Sequence, residues 1–256
     1  MNQQGQYILT EISNGVATLL LDRPPLNVLN IRMLDELNGE LERLTRSPVR
    51  LLIVRGKGKA FCAGVDVAEH LPDKAREMLS TFHRTFDLLA AIEAPTLAAV
   101  NGAALGGGCE LALFCDFVIA AESAKFGQPE IKLATLAPVA IALLPRLCGA
   151  RKAFELILTG DTLDARQAQS YGLVNKVVPD EELHTEVLAL SRKLTGLSAA
   201  AIRHAKKAIL GGLNQSFADA FRSADAECLD TLLRLADARE GLRAFLEKRP
   251  PVWTDG

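Results

Sequence analysis

The sequence has no cysteine pair of the kind that staples small secreted domains or holds zinc. Its five cysteines, Cys62, Cys109, Cys115, Cys148 and Cys228, are an odd number without a C-x-x-C spacing. That argues against a disulfide framework and a zinc knuckle, and leaves most of them as small core residues. No run reaches the ~18 uninterrupted apolar residues of a membrane-crossing helix, and the opening MNQQGQYILTEISNG lacks the cationic start and apolar stretch of a secretory signal. A soluble, cytoplasmic protein is expected. Charge of one sign is also lacking: 29 Lys and Arg stand against 31 Asp and Glu, a formal net charge of -2, with a pI near 6.1. No basic field is present to gather nucleic acid or an anionic membrane, so any anionic ligand must be met by local groups.

Several catalytic patterns are missing too. Neither G-x-G-x-x-G with a following acidic residue nor G-x-x-x-x-G-K-[ST] occurs, which weakens a dinucleotide or P-loop reading, and no G-x-S-x-G elbow is present. His70, His83, His184 and His204 are scattered without metal-ligand spacing; they read as surface or core-edge residues, and no metal is expected. The densest basic patch, Arg203-His204-Ala205-Lys206-Lys207, is short and reads as a solvated helix face rather than an RNA-binding surface. Long linkers, low-complexity segments and solenoid repeats are absent.

What is present is a chain of 256 residues, 49% hydrophobic, long enough for a full core. YILTEISNGVATLLLDRP predicts two strands around Ser13-Asn14-Gly15. Met33, Leu37, Leu41 and Leu44 recur at helical spacing behind Asn30, a candidate cap. A buried strand, VRLLIVRG, follows. Met78, Phe82, Phe86 and Leu89 mark a second helix that Pro95 ends before the strand TLAAV. After the glycine run and its helix, CDFVIAAESAKF reads as another strand. This alternation predicts a layered or spiral α/β domain. Beyond Pro145, residues 150–170, 180–196, 198–212 and 215–248 all carry helical spacing, as expected of a cap or an oligomer contact.

The most informative stretch is NGAALGGGCELALFCD, Asn101 to Asp116. Three glycines at a helix start cost roughly 1 kcal/mol each relative to alanine. They serve either close packing on a neighbouring strand or the presentation of helix-start N–H groups to a ligand carrying negative charge. KGKAFCAGVDV offers a second candidate amide, that of Val65 after Gly64. Two amides converging on one carbonyl oxygen are what an oxyanion hole needs. Glu110, in the first turn of an apolar helix, and Glu130, in a loop after a proline, would each alone be a capping or surface carboxylate. Together with the amides they describe a site that can move a proton and a water beside a carbonyl. Asp116 reads as structural, and Trp253 as an anchor for the tail.

RPPLNVLN, KAFCAGVDV, AAVNGAALGGGCELALFCDFVIAAESAKFGQPEI and EGLRAFLEKRPP resemble, in order and over essentially the whole chain, the motifs of the enoyl-CoA hydratase/isomerase (crotonase) superfamily. The resemblance implies a spiral of ββα units over residues 1–195 and a helical trimerisation region over 196–256, assembled as a homotrimer or homohexamer. It implies that the Val65 and Gly107 N–H groups hold a thioester oxygen and that Glu110 and Glu130 are the hydratase pair. Pro25, Leu26, Ala63, Asp66 and Val67 match positions lining coenzyme A, which belongs to the substrate and is not a separate cofactor. Phe245 and Lys248 match a pair that reaches a neighbouring subunit's coenzyme A site.

Both glutamates favour hydration over double-bond isomerisation on the same scaffold. After PEI, the chain reads KLATLAPVAIALLPRLCG, where simple straight-chain hydratases are glycine-rich. Thr135, Leu136, Ala137, Val139 and Ile141 are therefore expected to reshape the acyl pocket. APVA-x-x-LLPR, with PPLNVLN, resembles cyclohexa-1,5-diene-1-carbonyl-CoA hydratases of anaerobic aromatic degradation. Short-chain enoyl-CoA hydration is the alternative.

Overall fold

A computed structural model describes residues 6–255; residues 1–5, part of the stretch read for a missing secretory signal, and Gly256 lie outside the described residues. β1 (Ile8–Ser13) and β2 (Val16–Leu21) form the expected antiparallel hairpin. Asn14 and Gly15 take φ of 50° and 76°, the paired left-handed conformation that suits the twist of a tight turn. α1 (Ile31–Thr45) begins where the Asn30 side chain accepts from the Met33 amide at 3.0 Å, and it buries Met33, Leu37, Leu41 and Leu44.

Three ββα units follow. They are β3 (Leu51–Gly56), β4 (Ala60–Cys62) and α2 (Ala75–Ala90); β5 (Thr96–Val100), β6 (Ala103–Leu105) and α3 (Gly107–Phe114); and β7 (Phe117–Ala121), β8 (Lys125–Gly127) and α4 (Pro138–Thr159). The chain continues through β9 (Thr162–Asp164), α5 (Ala165–Ser170), β10 (Lys176–Val178), α6 (Leu183–Thr195), α7 (Ala199–Gly212), α8 (Phe217–Ala226) and α9 (Ala236–Leu246). In each unit the first strand joins a six-stranded sheet, ordered β1-β2-β3-β5-β7-β10, and the second joins a four-stranded sheet, ordered β4-β6-β8-β9. Pairing is parallel in both except at the edges, where β1 meets β2 and β9 meets β8 antiparallel. The result is a crotonase-like α/β spiral.

The larger sheet is covered on both faces. Leu52, Val54 and Ala98 point into the main core with α1 and α2, while Leu183 and Val187 of α6 cover Leu51, Ile53, Leu97 and Ile119 on the other side. TLAAV is buried throughout for this reason, and its sequence is a continuous apolar run rather than an alternation.

The carboxy-terminal half is less uniformly helical than its spacing predicts. Helix begins at Pro138 and contains Pro145. Gly160, in the left-handed conformation, ends α4, and a capping box of Asp164 and Gln167 opens α5. Between them β9 pairs with β8, so 150–170 is helix, strand and helix. β10, three residues long, was missed because so short an edge strand carries no period. CDFVIAAESAKF is two strands in different sheets. The 215–248 stretch breaks between α8 and α9 into a π turn and a 3-10 turn.

Asp116 is structural: its Oδ2 accepts from the Thr96 amide at 2.7 Å and from Lys206 Nζ at 2.7 Å. Trp253 Nε1 donates to the Gly196 carbonyl at 2.9 Å and holds the tail. Cys62, Cys109 and Cys115 are buried, Cys148 is half-buried and Cys228 is exposed. The basic patch on α7 is not a free solvated face. Lys206 bonds Asp116 and the Ala94 carbonyl, and His204 and Lys207 converge on Glu227. Among the described residues no helix is long and apolar enough to cross a membrane.

Candidate active site

The glycine run turns the chain from β6 into α3, and each glycine makes room for something different. Gly106 takes φ 50° and ψ −128°, a backbone that side-chain-bearing residues avoid. A Cβ there would also collide with Glu130 Oε1. On Gly107, a Cβ would lie 2.6 Å from Val65 Cγ2 and 3.0 Å from Phe82 Cζ. On Gly108 it would strike the Cys62 carbonyl of β4. The close-packing reading of the run holds: Gly108 lets α3 pack closely on a strand, while Gly106 and Gly107 clear space beside Glu130, Val65 and Phe82.

The two candidate amides are brought together by these contacts. Around Val65, the Leu29 amide donates to the Gly64 carbonyl at 2.8 Å and the Asp66 amide donates to the Leu29 carbonyl at 2.7 Å. The intervening Val65 N–H has no acceptor among the described residues. Gly107 is the first residue of α3, where N–H groups have no partner within the helix, and its N–H is likewise unclaimed.

Glu110 lies one turn into α3 and is 3% exposed. Its Oε1 accepts from the Ala140 amide at 2.6 Å, in the first turn of α4, where unpaired amides and the helix dipole favour an anion. Burial nonetheless pushes its carboxyl up to about 7; the Ala140 and Val139 amides oppose the rise, and Glu130 adds to it. Glu130 sits on a one-turn 3-10 helix, Pro129–Leu133, rather than in an open loop. Its Oε2 is buried with no hydrogen-bond partner, and burial raises this carboxyl too, with its own backbone amide and then His70 pulling it back. Val65, Gly107, Glu110 and Glu130 all line one cavity of about 90 Å³. Met78, Leu79 and Phe82 of α2 form one apolar wall, and Thr135, Leu136 and Ala137 before α4 form another. Val139 and Ile141 do not line it: Val139 packs against the core and Ile141 is 41% exposed.

The raised carboxyl has a consequence for stability. With a folded value of about 7 against an ordinary 4.5, Glu110 favours the fold when neutral. Its contribution is complete below about pH 4.5 and is lost as pH rises through about 7, a difference of about 3 kcal/mol. Glu110→Gln is therefore expected to unfold at nearly the same denaturant concentration as the parent at pH 4, and to be the more stable of the two at pH 8. Equal differences at both pH values would contradict the burial argument.

The residues matched to coenzyme A positions divide into three groups. Ala63 and Val67 line the cavity. Pro25, Leu26 and Asp66 do not; Leu26 and Asp66 are tied to its wall, since the Ala63 amide donates to the Leu26 carbonyl at 3.0 Å and Asp66 caps the 3-10 turn Val67–His70 while lying 3.7 Å from Arg23. Phe245, 83% exposed, and Lys248 lie at the end of α9, and neither lines the cavity.

Two residues at the site were not singled out in the sequence. Asn27 is 1% exposed, and its amide nitrogen donates to the carbonyls of Lys57, Ala60 and Phe61 at 2.9–3.1 Å while Oδ1 accepts from the Arg23 amide. It fixes the PPLN loop against the entry to β4. The available signal was an amide side chain between apolar residues, costly unless bonded. Asn27→Ala leaves two buried carbonyls and one part-buried carbonyl without this donor and is expected to destabilise the protein by about 2–3 kcal/mol in denaturant melts; a loss below about 0.5 kcal/mol would contradict this role. His70 is the second, a half-buried residue on the cavity wall. Among the described residues no group of three His, Cys, Asp or Glu side chains is placed to hold a metal ion.

The chain matches the family described as Enoyl-CoA hydratase/isomerase over residues 11–256. It is similar to the crotonyl-CoA hydratase of Syntrophomonas wolfei, 41% identical over 251 residues that cover 95% of this chain and 96% of that one. The mitochondrial enoyl-CoA hydratase of Pongo abelii is 35% identical, over 98% of this chain and 88% of that protein. Among solved structures, an enoyl-CoA hydratase from Bacillus anthracis superposes with a TM-score of 0.93 at 34% identity, covering 98% of this chain and all of the other. The chain belongs to the enoyl-CoA hydratase/isomerase family.

Proposed function

We propose that the protein is a hydro-lyase adding water across the α,β double bond of an acyl-CoA thioester. The observation that carries this reading is the opening of two unclaimed N–H groups and two carboxyls, Glu110 buried and Glu130 half-buried, onto one small cavity. Water attacks Cβ, forming the new C–O bond, and its proton passes to one carboxylate. The electron pair of the double bond moves toward the thioester carbonyl. The enolate oxygen so formed accepts from the Val65 and Gly107 amides. Collapse of the enolate then takes a proton onto Cα from the other carboxylic acid. We assign the water to Glu110 and the Cα proton to Glu130; Glu130 adds to the rise of Glu110, and each turnover leaves a proton to be exchanged between the two carboxyls.

Coenzyme A enters as part of the substrate. Ala63 and Val67 on the cavity wall, with Leu26 and Asp66 behind them, border the approach to the thioester, and Pro25 precedes Leu26 in the same loop. A homotrimer or homohexamer fits the helices after residue 195. Ile209, Leu213, Phe217, Phe221, Leu242 and Phe245 are between 56% and 88% exposed on α7 to α9, an amount of open apolar surface that marks an interface. Such an assembly gives Phe245 and Lys248 a neighbouring subunit's site to reach.

Two acyl classes remain in play. The name of the Syntrophomonas relative favours a short straight chain. Thr135, Leu136 and Ala137, side chains in place of glycine on the wall beside Glu130, favour a flat cyclic acyl group such as cyclohexa-1,5-diene-1-carbonyl. Hydration rates for crotonyl-CoA and the cyclic diene thioester, measured side by side, separate them: a kcat/KM preference of about a hundredfold assigns the pocket.

A further inference from the structure

His70 ends the 3-10 turn that leaves β4, on the same cavity wall as the oxyanion amides and the glutamate pair. Its Nδ1 lies 3.0 Å from the Asp66 carbonyl oxygen. A carbonyl oxygen only accepts, so Nδ1 carries a proton and Nε2 is the nitrogen available to the cavity. On the other side, Glu130 Oε2 is buried without a hydrogen-bond partner, a costly condition for a carboxyl oxygen. The cavity has room for a few waters.

The other charged groups near the imidazole are occupied or remote from the cavity. Asp66 pairs with Arg23 at 3.7 Å, Glu69 accepts from the Ile31 amide at 2.7 Å, and Lys132 reaches Asp161 at 3.5 Å. α2 presents only Met78, Leu79 and Phe82 to the cavity. That leaves Glu110 and Glu130 as the carboxyls sharing the space with His70, and the Glu110 Oε1 is already bound to the Ala140 amide.

We propose that His70 is a positioning residue for Glu130, its free Nε2 steadying the otherwise unpartnered Glu130 Oε2 directly or across one water. The pairing serves both states of the acid. A neutral Nε2 accepts from the protonated carboxyl, and a protonated Nε2 donates to the carboxylate, so Glu130 keeps its aim at Cα whichever side of the proton transfer it is on. Charge on the imidazole, after Glu130's own backbone amide, pulls Glu130 back toward its ordinary range.

The inference deepens the proposed hydration and rests on it for its catalytic meaning, but its primary test does not need activity. The Glu130 carboxyl is titrated by carbon-13 NMR in full-length protein labelled at glutamate, its signal assigned by its loss in Glu130→Gln. In His70→Leu, the Glu130 midpoint is expected to rise by about half a unit or more. Hydration kcat is expected to fall about tenfold with KM changed less than about twofold, and His70→Gln, which can hydrogen-bond without charge, should recover part of kcat but not the midpoint. An unmoved Glu130 midpoint in both variants overturns the proposal, including the case where kcat and KM deteriorate together through a merely structural effect. A parent protein that binds acyl-CoA but never hydrates it would remove the proposed function and still leave the midpoint to decide the role of His70.

Discussion

Glu110→Gln and Glu130→Gln are each expected to lose about 10²–10⁴-fold in kcat for hydration while binding a non-reactive saturated acyl-CoA as the parent does. The reason lies in the placement of the two carboxyls. Glu110, 3% exposed, is held at the amino terminus of α4 by the Ala140 amide and buried deeply enough to sit near pH 7. It changes protonation state in the range where a general base works best. Glu130 stands over Gly106 with one oxygen unpartnered, so its proton is not committed elsewhere. Glutamine keeps the shape of each side chain and its acceptor, and Glu110→Gln keeps a carbonyl for the Ala140 amide; only proton transfer is removed. Stopped-flow hydration together with calorimetric binding separates the two effects. Near-parental kcat in either variant would show that this carboxyl does not carry the chemistry, and equal loss of binding would show that it shapes the pocket instead.

The second large effect isolates the oxyanion donor. Gly107→Pro removes the N–H at the first position of α3, where proline is tolerated because that N–H makes no bond within the helix. Any Cβ at this position crowds Val65 Cγ2 and Phe82 Cζ, so Gly107→Ala is the necessary control: it adds the same Cβ and keeps the donor. The expected result is a kcat for Gly107→Pro about 10²–10³-fold below that of Gly107→Ala. Equal activity in the two variants would mean that crowding, not the lost donor, explains any deficit, and would remove Gly107 from the oxyanion hole.

The parts of this architecture that could be read in the sequence are those where one local rule suffices. The Asn14-Gly15 turn, the Asn30 cap and the apolar stripe of α1 each depend on a few neighbours. Glu110 and the glycine run were legible because a charge in an apolar helix and three glycines at its start are both costly without a partner. What was not legible depends on residues far apart. β9 and β10 are three residues each and exist through pairing with β8 and β7, so periodicity cannot show them. His70 looked like one scattered histidine among four; only the return of the chain after β8 brings Glu130 to the same cavity. Asn27 acquires its role from carbonyls 30 to 34 positions later in the chain. The segment after Glu130 was legible in part, since Thr135, Leu136 and Ala137 do wall the cavity whereas Val139 and Ile141 turn away from it.

The most direct test of the central claim is to incubate the purified protein with crotonyl-CoA and with cyclohexa-1,5-diene-1-carbonyl-CoA in oxygen-18 water and to weigh the products. The account predicts, for at least one of the two, a product heavier by one labelled water, with the heavy oxygen on Cβ and the conjugated thioester absorbance lost at the same rate. A product of unchanged mass with a displaced double bond, or no product from either thioester, would contradict it.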